Sequence, residues 1–338
     1  MKKLSKIEES VWSDIQDRNS GEVSRKEDAF FTIEDLVEYI CSQIKEGEDT
    51  LVLHNICINF EELKDLFQLV KEKYKDVDKI TTLDVTGWNV SKVQIMSGVF
   101  NTSNFDNSYV TGFKEIIGLD TWDVSGVKDM AWMFHHCAVR KLNLESWNVG
   151  EVTNMSNLFC RCEYLEEVNI SSWDVRKVKR MDGMFSWCMD LKEIHIEDWK
   201  TESLSSIDTM FFVCKNLKSI DLNKWDVSKV TSMDSVFQSC ERVSNFYIKD
   251  WDVSNVWNMR SMFSRCYSVE KLFIGNWNVK SLYKATEMFK DCWNLRSVNL
   301  SKWHTEEENI NNQAWFKNTK TYWWSKNHQF YNKFYKPE

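Results

Sequence analysis

The chain is poor in what several common functional sites require. It has ten glycines and a single proline in 338 residues, and no glycine-rich loop that could cradle a phosphate. No apolar run approaches the roughly 18 residues needed to cross a bilayer, so membrane insertion is not expected. Lysine and arginine never cluster beyond two in a row, and the net charge is −8. A nucleic-acid binder needs a basic face that displaces counterions from phosphates, so no nucleic-acid partner is expected. The six histidines are scattered, with no zinc-type pair and no nucleophile elbow, so neither an enzyme nor a cofactor or metal ligand set is expected. Residues 1–10 carry lysines with no apolar core after them, which argues against a secretory signal. The expected location is therefore the cytoplasm, or a virion or other assembly, with thiols kept reduced.

What the chain has in excess is tryptophan and cysteine, seventeen and ten respectively. Such usage reflects a unit that spends the same residue at the same place. Trp88, Trp122, Trp147, Trp173, Trp199, Trp225, Trp251, Trp277 and Trp303 mark nine copies; the first two intervals are 34 and 25 residues and the last six are each 26.

One copy reads Leu217, Ile220, Leu222, Trp225, Val227, Val230, Met233, Val236, Phe237, Cys240. Counted from Trp, apolar residues fall at −8, −5 and −3, then at +2, +5, +8, +11 and +12. The alternation of Ile220-Asp221-Leu222 predicts a short strand with one buried face. The later spacing of threes and fours predicts a helical or 3₁₀ return. The Asp or Asn that comes after Trp (Asp123, Asn148, Asp174, Asp226, Asp252, Asn278) is suited to bond its own turn backbone. No unit buries its own apolar face, so neighbours must stack.

Segments 225–240 and 251–266, Trp-Asp-Val-Ser-Lys-Val-Thr-Ser-Met-Asp-Ser-Val-Phe-Gln-Ser-Cys and Trp-Asp-Val-Ser-Asn-Val-Trp-Asn-Met-Arg-Ser-Met-Phe-Ser-Arg-Cys, resemble BspA-like leucine-rich repeats. The resemblance covers roughly residues 80–316. It implies an α/β repeat protein: a right-handed solenoid of short parallel strands and helical returns, used for adhesion or protein recognition and carrying no catalytic residue. Members on bacterial surfaces carry a signal peptide, lipobox or wall anchor, none of which is read here.

Flanking segments divide the rest. Residues 29–79 read as a helical N-terminal cap: Thr32 opens a helix carrying Leu36, Val37 and Ile40, strands come near Leu51 and Ile56, and a second helix runs from about Phe60 to Tyr74. Residues 1–28 read as an amphipathic leader and tether, with Ile7, Val11, Trp12 and Ile15 on one face. A helix of that length is marginal alone, so it either packs on the cap or docks into a larger assembly. The leader resembles N-terminal leaders of proteins from tailed phages of gut bacteria, and a structural component of a phage particle is the alternative function. Residues 317–338 form an aromatic tail that includes Trp323 and Trp324, read as a C-terminal cap or as a surface for a partner or sugar. An insertion near residues 101–112 accounts for the long first interval.

Recognition is the better-supported role. Four residues before each Trp lie Asp84, Gly118, Asn143, Asn169, His195, Asp221, Tyr247, Phe273 and Asn299, which stacking aligns in one outward column. Aromatics also concentrate elsewhere in the late repeats, at Trp257, Tyr267, Tyr283 and Trp293; Trp257 and Tyr283 with His195, Asp221, Tyr247 and Phe273 form the candidate partner site, since interface hot spots favour aromatics. The alternative is that the tail folds back over these residues. A protein is the expected partner, with a glycan as second candidate, and the oligomeric state is left open. Cys137, Cys162, Cys188, Cys214, Cys240, Cys266 and Cys292 each come three residues after the repeat Phe. They predict a linear ladder of small buried side chains, not a converging tetrahedral site. Alkylation of the denatured chain without reductant should therefore label ten thiols; fewer, with a mass deficit of two per missing pair, would reveal disulfides.

Overall fold

The computed structural model describes residues 29–104, 112–298, 300 and 303. At its N-terminal end β1 (Ala29–Phe30) leads into α1 (Ile33–Gln43), where the Thr32 hydroxyl accepts the Asp35 N–H at 3.1 Å and Leu36, Val37 and Ile40 turn inward. The second helix is shorter than its pattern suggests. α2 spans Leu66–Lys73, because the preceding backbone is already engaged: Leu63 N–H donates to Ile95 O at 2.8 Å and Asp65 N–H to Ser97 O at 2.9 Å. Asp65 itself sits at φ 49°, which a right-handed helix does not allow.

Residues 50–70 thus form a coil that lies on the coil of Trp88. β2 (Thr50–Val52) pairs in parallel with β4 (Thr82–Asp84), and β3 (Cys57–Ile58) pairs with β1. Phe67 stacks on Phe100 at 6.0 Å, and the Leu53 carbonyl accepts the Trp88 indole N–H. Ile56 occupies the place that Trp takes later.

Downstream, short strands repeat one coil apart: β5 (Glu115–Ile117), β6 (Lys141–Asn143), β7 (Glu167–Asn169), β8 (Ser219–Asp221), β9 (Asn245–Tyr247), β10 (Lys271–Leu272) and β11 (Ser297–Val298). All pairings are parallel, with registers such as Lys141↔Glu167 and Ile220↔Phe246. The coil of Trp199 makes no regular strand at 193–195, so the ladder is interrupted between β7 and β8.

Among the described residues the returns are not helical, which corrects the expectation drawn from their spacing. In the coil of Trp225, Met233, Ser235, Phe237 and Ser239 donate their N–H groups across to Asn258, Arg260, Met262 and Ser264 of the next coil, at 2.8 to 2.9 Å. The intervening Gln238 and Cys240 donate instead to Ser235 and Phe237 in their own coil, at 3.2 and 3.1 Å. A helix would commit every N–H to its own fourth-preceding carbonyl. Here alternate donors leave the coil, and the chain advances by successive tight turns. From the coil of Trp122 to that of Trp277 two left-handed residues per coil make those turns, for example Asn157 and Arg161, Thr209 and Val213, Ser235 and Ser239, with Gly183 filling the first position in the coil of Trp173 as Gly98 does in that of Trp88. Thr209 and Val213 at φ 56° and 63° show that the cross-coil ladder overrides an intrinsic preference against this region.

Two aromatic columns fill the interior. Tryptophans of successive coils stack, with centroids 6.4 Å apart and planes within 1° for Trp147 and Trp173. The repeat phenylalanines do the same, at 5.5 Å for Phe159 and Phe185. At each corner one carbonyl serves twice. Leu222 O accepts the Trp225 backbone N–H at 3.1 Å and the Trp251 indole N–H of the next coil at 2.7 Å. Phe237 O accepts the Cys240 N–H at 3.1 Å and the Cys266 thiol of the next coil at 3.2 Å. All seven ladder cysteines are buried and free, and burial pushes their thiols up, Cys292 to about 12. The Asx contact also forms: Asp123, Asn148, Asp226 and Asn278 each accept the N–H two residues on, at 3.0 to 3.3 Å.

A net hydrogen bond is worth about 1 kcal/mol, and shrinking a buried ring adds a cavity cost of similar size. Trp225→Phe should therefore lower stability by about 2 kcal/mol in urea titration. Lys200→Ala, on the exposed flank of the preceding corner, should stay within about 0.5 kcal/mol. Equal effects of the two would contradict the corner contact.

Candidate recognition surface

The outward positions derive from the strand alternation. Phe246 of β9 is buried in the core, so its neighbour Tyr247 points out and is 51% exposed. One coil on, Phe273 is 67% exposed. Asp221 and His195 share this column and are both exposed, and Asp221 pairs in register with Tyr247. Asp221 accepts the Asn223 N–H at 3.1 Å, and His195 lies 3.9 Å from Glu197.

Trp257 and Tyr283 occupy a second column, six residues after their coils' Trp. Their backbones are linked in sequence: Trp257 N–H donates to Thr231 O at 2.9 Å and Tyr283 N–H to Trp257 O at 2.8 Å. The side chains are 45% and 57% exposed. The candidate residues therefore divide between two columns. Trp323, Trp324 and the leader residues Ile7, Val11, Trp12 and Ile15 lie outside the described residues, as do Asn299 and positions 105–111 of the insertion.

A third column holds the two remaining aromatics that concentrate in the late repeats. Tyr267 and Trp293, sixteen residues after Trp251 and Trp277, stack with centroids 4.5 Å apart and planes at 18°, and Trp293 is 53% exposed. Their common offset from Trp is legible in the sequence; that this offset faces outward depends on the turn after Cys, which periodicity does not encode. In the preceding coils the same edge is mixed, with Glu163, Met189, Lys215 and Glu241 at this offset. Tyr164, Met189 and Asn216 join Glu163, Asp190, Lys215, Glu241 and Arg242 in lining a groove of about 410 Å³.

The middle coils are laced by ion pairs one coil apart: Glu166 with Arg140 at 2.8 Å and with Lys192 at 2.6 Å, Lys141 with Glu167 at 2.9 Å, and Lys224 with Asp198 at 2.6 Å. Hydrogen bonds from Lys192 and Arg140 hold the Glu166 carboxyl below its usual range. Such exposed pairs add little stability, but they leave a hydrated, self-paired surface. Another carboxylate column, Asp182, Asp208 and Asp234, is tied to its own coils: Asp182 accepts from the Ser156 hydroxyl at 3.2 Å, and Asp208 accepts the Asp234 N–H at 2.8 Å. Burial raises the Asp208 pKa. Among the described residues no three His, Cys, Asp or Glu side chains gather as a metal would need, and no helix is long and apolar enough to cross a membrane.

Near the insertion, His135 lies 3.1 Å from the Asn101 side-chain oxygen and packs edge-on to Trp132, beside His136. Arg161 lies over the Trp187 ring at 5.2 Å. Burial first, then the charges of His136 and Arg161, lower the His135 pKa to about 4. A histidine held neutral in the folded state favours folding above its unfolded pKa, about 6.5, and this contribution is lost as pH falls toward 4. His135→Gln should therefore lose less melting temperature than the parent chain between pH 7 and pH 4.5. Parallel losses would show that His135 does not couple to folding.

Three stretches, 62–138, 108–220 and 205–328, match the family described as Mycoplasma protein of unknown function, DUF285. Together they span most of the chain, and the chain belongs to that family. A leucine-rich repeat protein from Bacteroides ovatus ATCC 8483, solved by crystallography, is similar over 86% of this chain and 88% of its own, at 12% identity and a TM-score of 0.31. No curated protein matches.

Proposed function

We propose that this protein is a non-catalytic recognition module, a BspA-like leucine-rich-repeat array that binds another protein over its seventh and eighth repeats. One observation carries the reading: Tyr247, Phe273, Trp257, Tyr283 and Trp293 are all substantially exposed and all belong to those two coils. Large apolar side chains exposed side by side, as Tyr247 and Phe273 are on the strand face, mark an interaction site, and Tyr and Trp dominate binding energy where water is excluded. A protein fits better than a glycan because the aromatics alternate with charged neighbours, such as Lys271 before Phe273 and Lys284 after Tyr283, the mixture of anchor and polar rim found at protein interfaces.

Right-handed winding is the sense proposed for the coils, since parallel strand crossovers take that hand almost without exception. We assign α1 and the segment before Trp88 the role of N-terminal cap, because an uncovered first coil would expose its apolar face.

The partner is to be recovered by co-purification from the native source and its affinity then measured directly. Tyr247→Ser combined with Phe273→Ser should raise Kd on the order of 100-fold, two anchors at about 1.4 kcal/mol each. Lys141→Ala with Glu167→Ala, in the ion-paired middle, should change it less than about twofold. An unchanged Kd in the aromatic variant would remove this face from consideration.

A further inference from the structure

The outer face of the strands changes charge at the coils where it turns aromatic. Strand alternation points three residues outward in each coil, six, four and two before its Trp. In the four coils from Trp147 to Trp225 these positions hold one lysine, Lys141, against Glu145, Glu167, Glu193, Glu197 and Asp221. In the next two coils they hold Asn245, Tyr247 and Lys249, then Lys271, Phe273 and Gly275, with no carboxylate. An acidic face thus becomes basic and aromatic together, in a chain whose net charge is −8.

The register fixes how these groups meet. Strands on either side pair with a step of 26 residues, as in Asp221↔Tyr247 and Lys271↔Ser297. The same step sets Asn245 beside Lys271, Tyr247 beside Phe273 and Lys249 beside Gly275. The two lysines therefore bracket the aromatic pair on a diagonal, about 13 Å apart along the strand direction.

Their own carboxylates leave them largely uncompensated. Lys249 lies 3.9 Å from Asp250, whose carboxylate already accepts the Asn223 side-chain N–H at 2.6 Å. Glu270 lies 3.8 Å from Arg296, and among the described residues Lys271 pairs with no carboxylate. Lys141, by contrast, meets Glu167 at 2.9 Å.

A partner that covers Tyr247 and Phe273 strips water from the lysines on both sides as well. Removing a charge from water is unfavourable unless an opposite charge accompanies it. Carboxylates on the partner compensate; a neutral or basic surface does not. The acidic rows of the preceding coils add direction, since they repel an anionic chain from the middle of the face and leave the late coils to receive it.

We propose that the segment recognised here is an acidic stretch of another protein, with an apolar side chain against Tyr247 and Phe273 and carboxylates reaching Lys249 and Lys271. This rests on the recognition reading above and adds the chemistry of what is recognised.

The test is to pan a random-peptide phage library on the immobilised full-length chain, keeping sequences whose binding is abolished by Tyr247→Ser combined with Phe273→Ser. The retained peptides should be enriched in Asp and Glu. A representative one, titrated by fluorescence anisotropy, should bind Lys249→Gln combined with Lys271→Gln about tenfold more weakly, the loss expected for two partly desolvated ion pairs. Its affinity for the parent should fall with added salt more steeply than its affinity for this variant. Panning on Lys249→Glu combined with Lys271→Glu should move the enrichment to Lys and Arg. Both lysines are exposed, so these changes leave the core alone. Retained peptides with no acidic excess, or affinities indifferent to the two lysines, would overturn the acidic assignment and leave the recognition reading standing. Failure to retain any aromatic-dependent peptide would remove that reading and this proposal together. Heparin bound through the same four side chains in place of peptides would make the occupant a sulfated glycan. Sedimentation of the parent as a dimer that the Glu variant dissociates would make it a second copy. Either result overturns the proposal.

Discussion

The corner carbonyl that accepts twice organises the whole array. A stacked coil must satisfy its backbone while it turns, and tight turns leave carbonyl lone pairs facing the neighbouring coil. Leu222 O and Phe237 O each take one N–H from their own turn and one side-chain donor from the coil above. Phenylalanine would fill much of the volume of Trp251 but bring no N–H; alanine would fit in place of Cys266 but bring no S–H. The bias toward tryptophan and cysteine is thus a hydrogen-bonding requirement laid over a packing one.

The same arrangement makes each coil depend on its neighbours. Alternate return N–H groups are bonded across the coil boundary and the others within it, so no coil is satisfied alone. Aromatic columns such as Trp147 on Trp173 and Phe159 on Phe185 add contacts that exist only when both coils are formed. Stability is then a sum over boundaries more than over coils. An interruption such as the missing strand of the Trp199 coil is tolerated because the returns on either side remain linked, for example through Met181 N–H to Ser206 O at 2.9 Å and Thr209 N–H to Asp234 O at 2.8 Å.

How much of this is legible in the sequence depends on whether a feature is carried by residue type or by backbone bonding. The Trp register, the short parallel strands and the buried cysteine ladder derive from residue identity at fixed spacing. The returns mislead because Val227, Val230, Met233, Val236 and Phe237 satisfy a run of three-residue turns as well as a helix; periodicity reports which side is buried and is silent on which carbonyl each N–H meets. The coil before Trp88 is hidden because Ile56 replaces the marker residue, although Leu53, Ile56 and Ile58 keep the −3, 0 and +2 spacing. On the surface, Tyr247 and Phe273 can be placed by strand alternation. Tyr267 and Trp293 cannot, since their facing is set by the turn after the cysteine.

The return ladder also has a direction. Its alternate N–H groups point toward the following coil, as in Met233 to Asn258 and then Met259 to Lys284, at 2.8 and 2.7 Å, while the N–H groups just before them point back, as in Trp257 to Thr231 at 2.9 Å. Each end of an uncovered array would therefore present a mixed row of donors and acceptors that the opposite end of another copy matches in register. Bare copies would join head to tail and, with no rotation to close a ring, lengthen into fibres. Flanking segments that differ from the repeat are in this sense terminators of a polymer that the repeat itself would otherwise continue.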